Sequence, residues 1–170
     1  RPEEQSGYSY GEIIEILKEK FPELKKSEKI VRKSSEHQTE PKSRLRERVV
    51  TLVGIGMGTL SGMTAEALEA LEEADLLIGA GRMLQAAEHV CKPVYKEYDP
   101  VRIADYINAH PEHARVAVLL SGDIGFYSGA KKLLPLLREA GVETVCHCGI
   151  SSLQYLCGRL GRPWEDIRTA

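Results

Sequence analysis

The chain has 170 residues, 42% hydrophobic, 28% charged and 6% aromatic, proportions that suit one globular domain with a polar appendage and exclude a fibre or a disulfide scaffold. A formal charge of -2, from 23 basic against 25 acidic residues, gives no general attraction to nucleic acid. No apolar run approaches the roughly 20 residues that cross a bilayer, and RPEEQSGYSY at the N-terminus lacks the order of a signal peptide, so no membrane partner and a cytoplasmic location are expected.

Residues 1–24 include YSYGEIIEILKEKFPEL, which reads as one amphipathic helix with Ile13, Ile16 and Leu17 on a shared face, ended near Phe21 by Pro22. Residues 25–48, KKSEKIVRKSSEHQTEPKSRLRER, mix both charges, carry too few apolar side chains to order themselves, and read as a linker. From Val49 the pattern becomes an alternation of strands and helices. Apolar runs at Val49–Ile55, Leu76–Ile78, Val94–Tyr95, Val116–Leu120 and Thr144–Cys146 are short and nearly uninterrupted, as for strands covered on both faces. Helical patterns fall at Thr64–Glu73, Arg82–Val90, Val101–Asn108, Ala130–Ala140 and Ser152–Leu160. Asp99 followed by Pro100 is an N-cap with proline at the first helical position, and Gly141 stands where a left-handed C-cap residue belongs. Residues 49–170 are thus expected to form a mainly parallel, five-stranded, doubly wound α/β domain. The chain opens on Arg1 and stops at Ala170 shortly after GRPWED, which reads as a piece cut from a longer protein.

In such sheets ligands sit outside the carboxyl ends of the strands. The loop after the first strand, VGIGMGTLSG, invites a phosphate reading, but Gly54, Gly56 and Gly58 are spaced G-x-G-x-G and Thr59 stands where a dinucleotide fingerprint has its third glycine. Thr64 is the best N-cap for the helix that follows, so its dipole is detached from the glycines. The second strand ends in GAGR, offering Arg82 and no carboxylate for ribose hydroxyls, and no Gly-Lys-Ser/Thr follows the glycines for a triphosphate. A bland alternative is that the glycines only allow a tight strand exit.

The loop after the fourth strand, LLSGDIGFYSGA, gathers Ser121, Gly122, Asp123, Gly125, Ser128 and Gly129 around Phe126 and Tyr127. Small residues let backbone approach a ligand and Asp123 can accept hydrogen bonds, while an Asx-turn at Asp123 is the plain structural reading. The fifth strand runs into CHCGISSLQYL, where Ser151 or Ser152 can cap the next helix or donate to a ligand, and His147 reads as a core histidine. Cys91, Cys146, Cys148 and Cys157 suit reduced thiols. The CHC run lacks C-x-x-C spacing and a second ligand pair, so no metal is expected, and spacing alone locates no triad, carboxylate pair or other catalytic residue.

Together VGIGMGTLSGMT, LLSGDIGFYSGA and CGISSLQYLCGRLG, in this order on an α/β chain, resemble the tetrapyrrole (corrin/porphyrin) methylases, and within them the enzymes that methylate a precorrin or cobalt-precorrin ring at C-5 in cobalamin biosynthesis. The resemblance implies the N-terminal domain of a two-domain methyltransferase, with S-adenosyl-L-methionine as cofactor and a small-molecule tetrapyrrole as substrate. It implies cofactor contacts at Met57, Gly122, Asp123, Ile124, Phe126, Ser151 and Ser152, and a substrate cleft lined by Gly54, Gly56 and Gly58. Many relatives have proline at the positions of Ile124 and Cys148, a departure that fits the C-5 branch. Arg82 and Arg162 are candidate anchors for substrate carboxylates by charge, with solvated surface arginines as the alternative. Relatives are commonly homodimers. RPEEQSGYSYGEIIEIL resembles the end of precorrin-6A reductase, implying a fusion of corrin-pathway enzymes, with an unrelated N-terminal extension as the alternative. The competing classes are a nicotinamide-dependent reductase and a non-catalytic α/β interaction domain.

Overall fold

The computed structural model describes residues 15, 16, 19, 20, 48–126 and 128–167. The chain divides into two compact units, Arg1–Ser43 and Arg44–Ala170. In the first, residues 15, 16, 19 and 20 are helical, within the helix expected there, and Ile16 is exposed. Ile13, Leu17, the linker reading and Tyr127 lie outside the described residues.

The second unit alternates β1 (Val49–Gly54), α1 (Ala65–Glu73), β2 (Leu76–Gly79), α2 (Gly81–Ala86), β3 (Val94–Lys96), α3 (Pro100–Ala109), β4 (Arg115–Leu120), α4 (Ala130–Glu139), β5 (Glu143–His147) and α5 (Ser152–Leu160). The strands form one parallel sheet in the order β3-β2-β4-β1-β5. Side chains alternate across each strand, so neighbouring residues feed opposite layers. Val50, Leu52, Ile78, Val116 and Val118 pack with Ile103 and Ile107 of α3 and Leu133 and Leu137 of α4. Val53, Leu77, Ala117 and Leu119 pack on the other face with Ala67 and Leu71 of α1 and Leu84 of α2. This is the expected doubly wound arrangement, with two cores separated by one sheet.

Three local expectations correspond to observed bonds. Thr64 Oγ1 accepts the Ala67 amide at 3.1 Å and starts α1. Asp99 Oδ1 accepts the Val101 and Arg102 amides, both at 3.0 Å, with Pro100 opening α3. Gly141, at φ 70°, closes α4, its amide reaching Arg138 O at 3.0 Å.

Three others need correction. β3 and β5 are edge strands with Val94, Lys96, Glu143 and Cys146 exposed, so only the middle strands are covered on both faces. The expected helix at Arg82–Val90 is broken at Ala87 into α2 and a 3-10 turn, Glu88–Val90, which ends on left-handed Cys91. His147 is no core residue: it sits at the end of β5, half-buried, with Nδ1 3.5 Å from Glu66 Oε2. All four cysteines are free thiols. Tyr95, Tyr106 and His110 stack with ring centroids 3.7 and 3.9 Å apart and close the β3 edge against α3.

Candidate functional site

The strand order places the functional edge. From β1 the chain crosses over β4 to reach β2, and from β4 it crosses over β1 to reach β5. The crossovers therefore leave adjacent strands in opposite directions, and the topological switch point lies between β1 and β4. The glycine loop and the Asp123 loop emerge side by side there.

These loops are fastened to each other by backbone. Beyond the last ladder pair, Ile55 N donates to Leu120 O at 2.9 Å, then Gly56 and Gly122 exchange two hydrogen bonds, Gly56 N to Gly122 O at 3.1 Å and Gly122 N to Gly56 O at 2.9 Å. The exchange needs left-handed backbone at both residues, φ 58° and 67°, which glycine adopts without a Cβ clash. The β5 loop approaches from the other side. A Cβ on Gly54 would lie 2.6 Å from Gly149 N and 2.8 Å from Gly122 O. A Cβ on Gly149 would lie 2.5 Å from Gly54 O and closer still to Gly122 O. Three backbones from three strands meet where no side chain fits.

Asp123 locks this junction. Its Oδ1 accepts the Gly125 amide at 2.8 Å, the Asx-turn, and its Oδ2 accepts the Gly149 amide at 3.1 Å across to the β5 loop. Each carboxylate oxygen keeps a second lone pair for a ligand. Ser151 is buried and committed to a capping box: its Oγ accepts Gln154 N, and Gln154 Oε1 accepts Ser151 N, each at 3.2 Å. Ser152 is exposed on the first turn of α5. Thr64 also donates to Cys148 O at 3.4 Å, joining the cap of α1 to the β5 loop.

Of the candidate residues, Gly56, Met57, Gly58 and Arg82 come together with Ile55, Met83 and Ser121 around a shallow hollow of about 50 Å³, room for a water or two rather than a whole cofactor. Arg82 Nη2 donates to Ser121 Oγ at 3.3 Å, which joins the end of β2 to the end of β4. A Cβ on Gly122 would lie 3.8 Å from Ser151 Cα, Asp123 reaches the β5 loop through Gly149, and Ile124 packs against the core under α3 and α4. Gly54 is buried beneath it and contributes clearance rather than surface. Arg162 follows α5, exposed, and is not among the residues of the hollow. Met57, Phe126 and Ile150 stay exposed on the three loops, an apolar fringe around polar backbone.

The geometry separates the ligand classes. The amides of Ile55, Gly56 and Gly58 are consumed internally, the last by Ile55 O at 3.1 Å, so none of these three is available to a phosphate. A 3-10 turn, Leu60–Gly62, lies between the glycines and α1, which keeps the helix N-terminus from a phosphate. No group of three or more metal-ligating side chains occurs among the described residues.

Fold and loops define an α/β domain whose carboxyl edge carries a glycine-backed junction at the switch point. Residues 49–170 match the tetrapyrrole (corrin/porphyrin) methylases, and the chain belongs to that family. It is 30% identical over 127 residues to a probable cobalt-factor III C(17)-methyltransferase of Methanothermobacter thermautotrophicus, covering 70% of this chain and 35% of that protein. It is 29% identical over 122 residues to a probable cobalt-precorrin-7 C(5)-methyltransferase of Methanocaldococcus jannaschii, covering 69% and 57%. The chain thus spans from a third to under three-fifths of the length of these relatives. The uroporphyrin-III-C-methyltransferase of Thermus thermophilus superposes with a TM-score of 0.58 at 25% identity, covering 69% of this chain and 54% of that one. That enzyme has also been solved complexed with S-adenyl homocysteine.

Thr64 in its second role and the Asp123–Gly149 link were not legible as site features.

Proposed function

We propose that this chain supplies the N-terminal wall of an S-adenosylmethionine-dependent methyltransferase that acts on a precorrin-type tetrapyrrole, at C-5 of the ring, in cobalamin biosynthesis. The observation that carries the reading is the junction of the β1, β4 and β5 loops, held by Asp123 and fringed by Met57, Phe126 and Ile150. Methyl transfer from a sulfonium to an electron-rich ring carbon is a displacement that depends on alignment, so it asks for fixed walls more than for a protein nucleophile. The rigid backbone junction meets that demand: it holds the Asp123 carboxylate and the flanking loop carbonyls in one geometry. Family membership and the S-adenyl homocysteine complex of the Thermus enzyme support the cofactor class. Ile124 and Cys148 support C-5, in the proline positions of other branches, together with the Methanocaldococcus relative.

Calorimetric titration of the full natural polypeptide with S-adenosylhomocysteine is expected to show saturable binding at a single site. An absence of heat with this ligand, together with quenching by NADPH, would replace the reading by that of a nicotinamide-dependent reductase. Silence toward both would leave a non-catalytic domain. Product analysis by NMR with a carbon-labelled methyl donor decides C-5, and a label at C-17 would transfer the reading to the branch of the Methanothermobacter relative. A homodimer and a fusion to a corrin-pathway reductase remain proposals of the same reading, tested by light scattering and by the mass of the natural polypeptide.

A further inference from the structure

Lys96 ends β3 at the carboxyl edge, paired in register with Gly79 of β2. Its stem lies across the start of α2: a Cβ on Gly81 would come 2.7 Å from Lys96 Cε and 3.1 Å from Nζ. The ammonium therefore stands beside Gly81, one residue from Arg82. The acids that follow it in sequence are otherwise engaged. Glu97 Oε1 accepts the Tyr98 and Asp99 amides at 2.8 and 3.0 Å, and its Oε2 is 3.7 Å from Arg102. Asp99 is spent on the N-cap of α3. Arg82 has a neutral partner, the Ser121 hydroxyl. Of the described lysines and arginines only Arg102 and Arg115 have a carboxylate, so what sets Lys96 apart is its place at the carboxyl edge beside the start of α2. Among the described residues, neither Lys96 nor Arg82 has an ion pair.

We infer that Lys96 and Arg82 form a two-point cationic grip for the carboxylate side arms of the tetrapyrrole, Lys96 acting as a specificity-determining residue at the β2–β3 side of the cleft. The inference rests on the methyltransferase reading. A cation with no resident acid favours an incoming carboxylate, and one on a flexible stem beside a planar guanidinium accommodates arms of differing reach. Two such charges, one at the end of β3 and one on the first turn of α2, fix how the macrocycle is turned as well as how tightly it is held.

The test uses the full natural polypeptide and uroporphyrin, a carboxylate-rich tetrapyrrole, with binding read from its absorbance and fluorescence at low and at physiological salt. Lys96→Met is expected to weaken uroporphyrin binding roughly tenfold at low salt, with a smaller loss at higher salt. S-adenosylhomocysteine affinity is expected to stay unchanged. Lys92→Met, which removes the same charge at the amino end of β3, is expected to leave uroporphyrin binding intact. Equal uroporphyrin affinity in Lys96→Met and the parent overturns the inference, as does an equal loss in Lys92→Met. Binding of S-adenosylhomocysteine without uroporphyrin overturns it while the methyltransferase reading stands, and binding of neither overturns both.

Discussion

The two ends of the sheet are closed by different chemistry. At the amino end charged side chains close it: Arg115 pairs with Glu73, Asp75 Oδ2 accepts the Arg115 amide at 3.0 Å, and Arg48 Nη2 donates to His110 O at 3.2 Å. At the carboxyl end backbone closes it, through Gly54, Gly56, Gly122 and Gly149, while Arg82 and Lys96 have no carboxylate partner among the described residues. The difference shows a division of labour. The Arg115–Glu73 pair and the Arg48 bond to a backbone carbonyl tie elements of the fold to each other, whereas Arg82 and Lys96 stand beside a tightly packed backbone where something can arrive.

The sharpest way to break the contrast is Gly149→Ala. The new methyl would meet backbone carbonyls that cannot turn aside, and a loss of about 3 kcal/mol in urea unfolding is expected. A loss under about 0.5 kcal/mol would show that the junction yields. Asp123→Ala removes the acceptor of two amides from different loops, one of them the half-buried Gly149 amide. About 2 kcal/mol of stability should go, together with S-adenosylhomocysteine binding in calorimetry. Thr64→Ala removes the α1 cap and the link to Cys148 O, costing about 1 kcal/mol by thermal melting.

At the opposite end, Arg115→Ala should cost below about 1 kcal/mol, because both partners of its Glu73 pair are half exposed and screened. A loss exceeding that of Thr64→Ala would invert the comparison. The smallest expected effect is a pH dependence at Glu97. The Asp99 amide first, then the Tyr98 amide, hold its carboxyl below the ordinary 4.5, with Arg102 adding to this and desolvation opposing it. A depressed carboxyl contributes stability that is complete above pH 4.5 and is lost as pH falls through the lower folded-state value. Carboxyl-carbon NMR titration should therefore place its midpoint below that of free glutamate, and Glu97→Gln should flatten this part of the acid-unfolding curve.

How much of this the sequence discloses depends on the range of the interaction. The middle strands and the caps at Thr64, Asp99 and Gly141 are written in local apolar runs and short side chains, whose partners lie within a few residues. The failed phosphate fingerprint was equally legible, because glycine spacing and helix start are both local. The exposure of β3 and β5 was not, since which strands become edges is fixed by the crossovers, and a short apolar run reads alike at the middle and the rim. His147 follows from the same limit: a short apolar run gives no sign that its strand is an edge, where the ring meets Glu66 instead of the core. The break at Ala87 has no sequence signal of its own, since AAEHV continues the helical pattern. Asp123 could be singled out from its loop, but its hold on Gly149, 26 residues away, required the fold.

The paired exchange between Gly56 and Gly122 also restrains how this protein can diverge. Each loop supplies the ladder on which the other ends, so an insertion before Gly56 or between Leu120 and Gly122 would slide one strand exit past its partner. Length changes tolerated here belong further out, after Met57 or after Phe126. A library that randomises loop length at those outer positions should retain folded members, while one that does so inside the bridge should lose them, because the two exits share a single register.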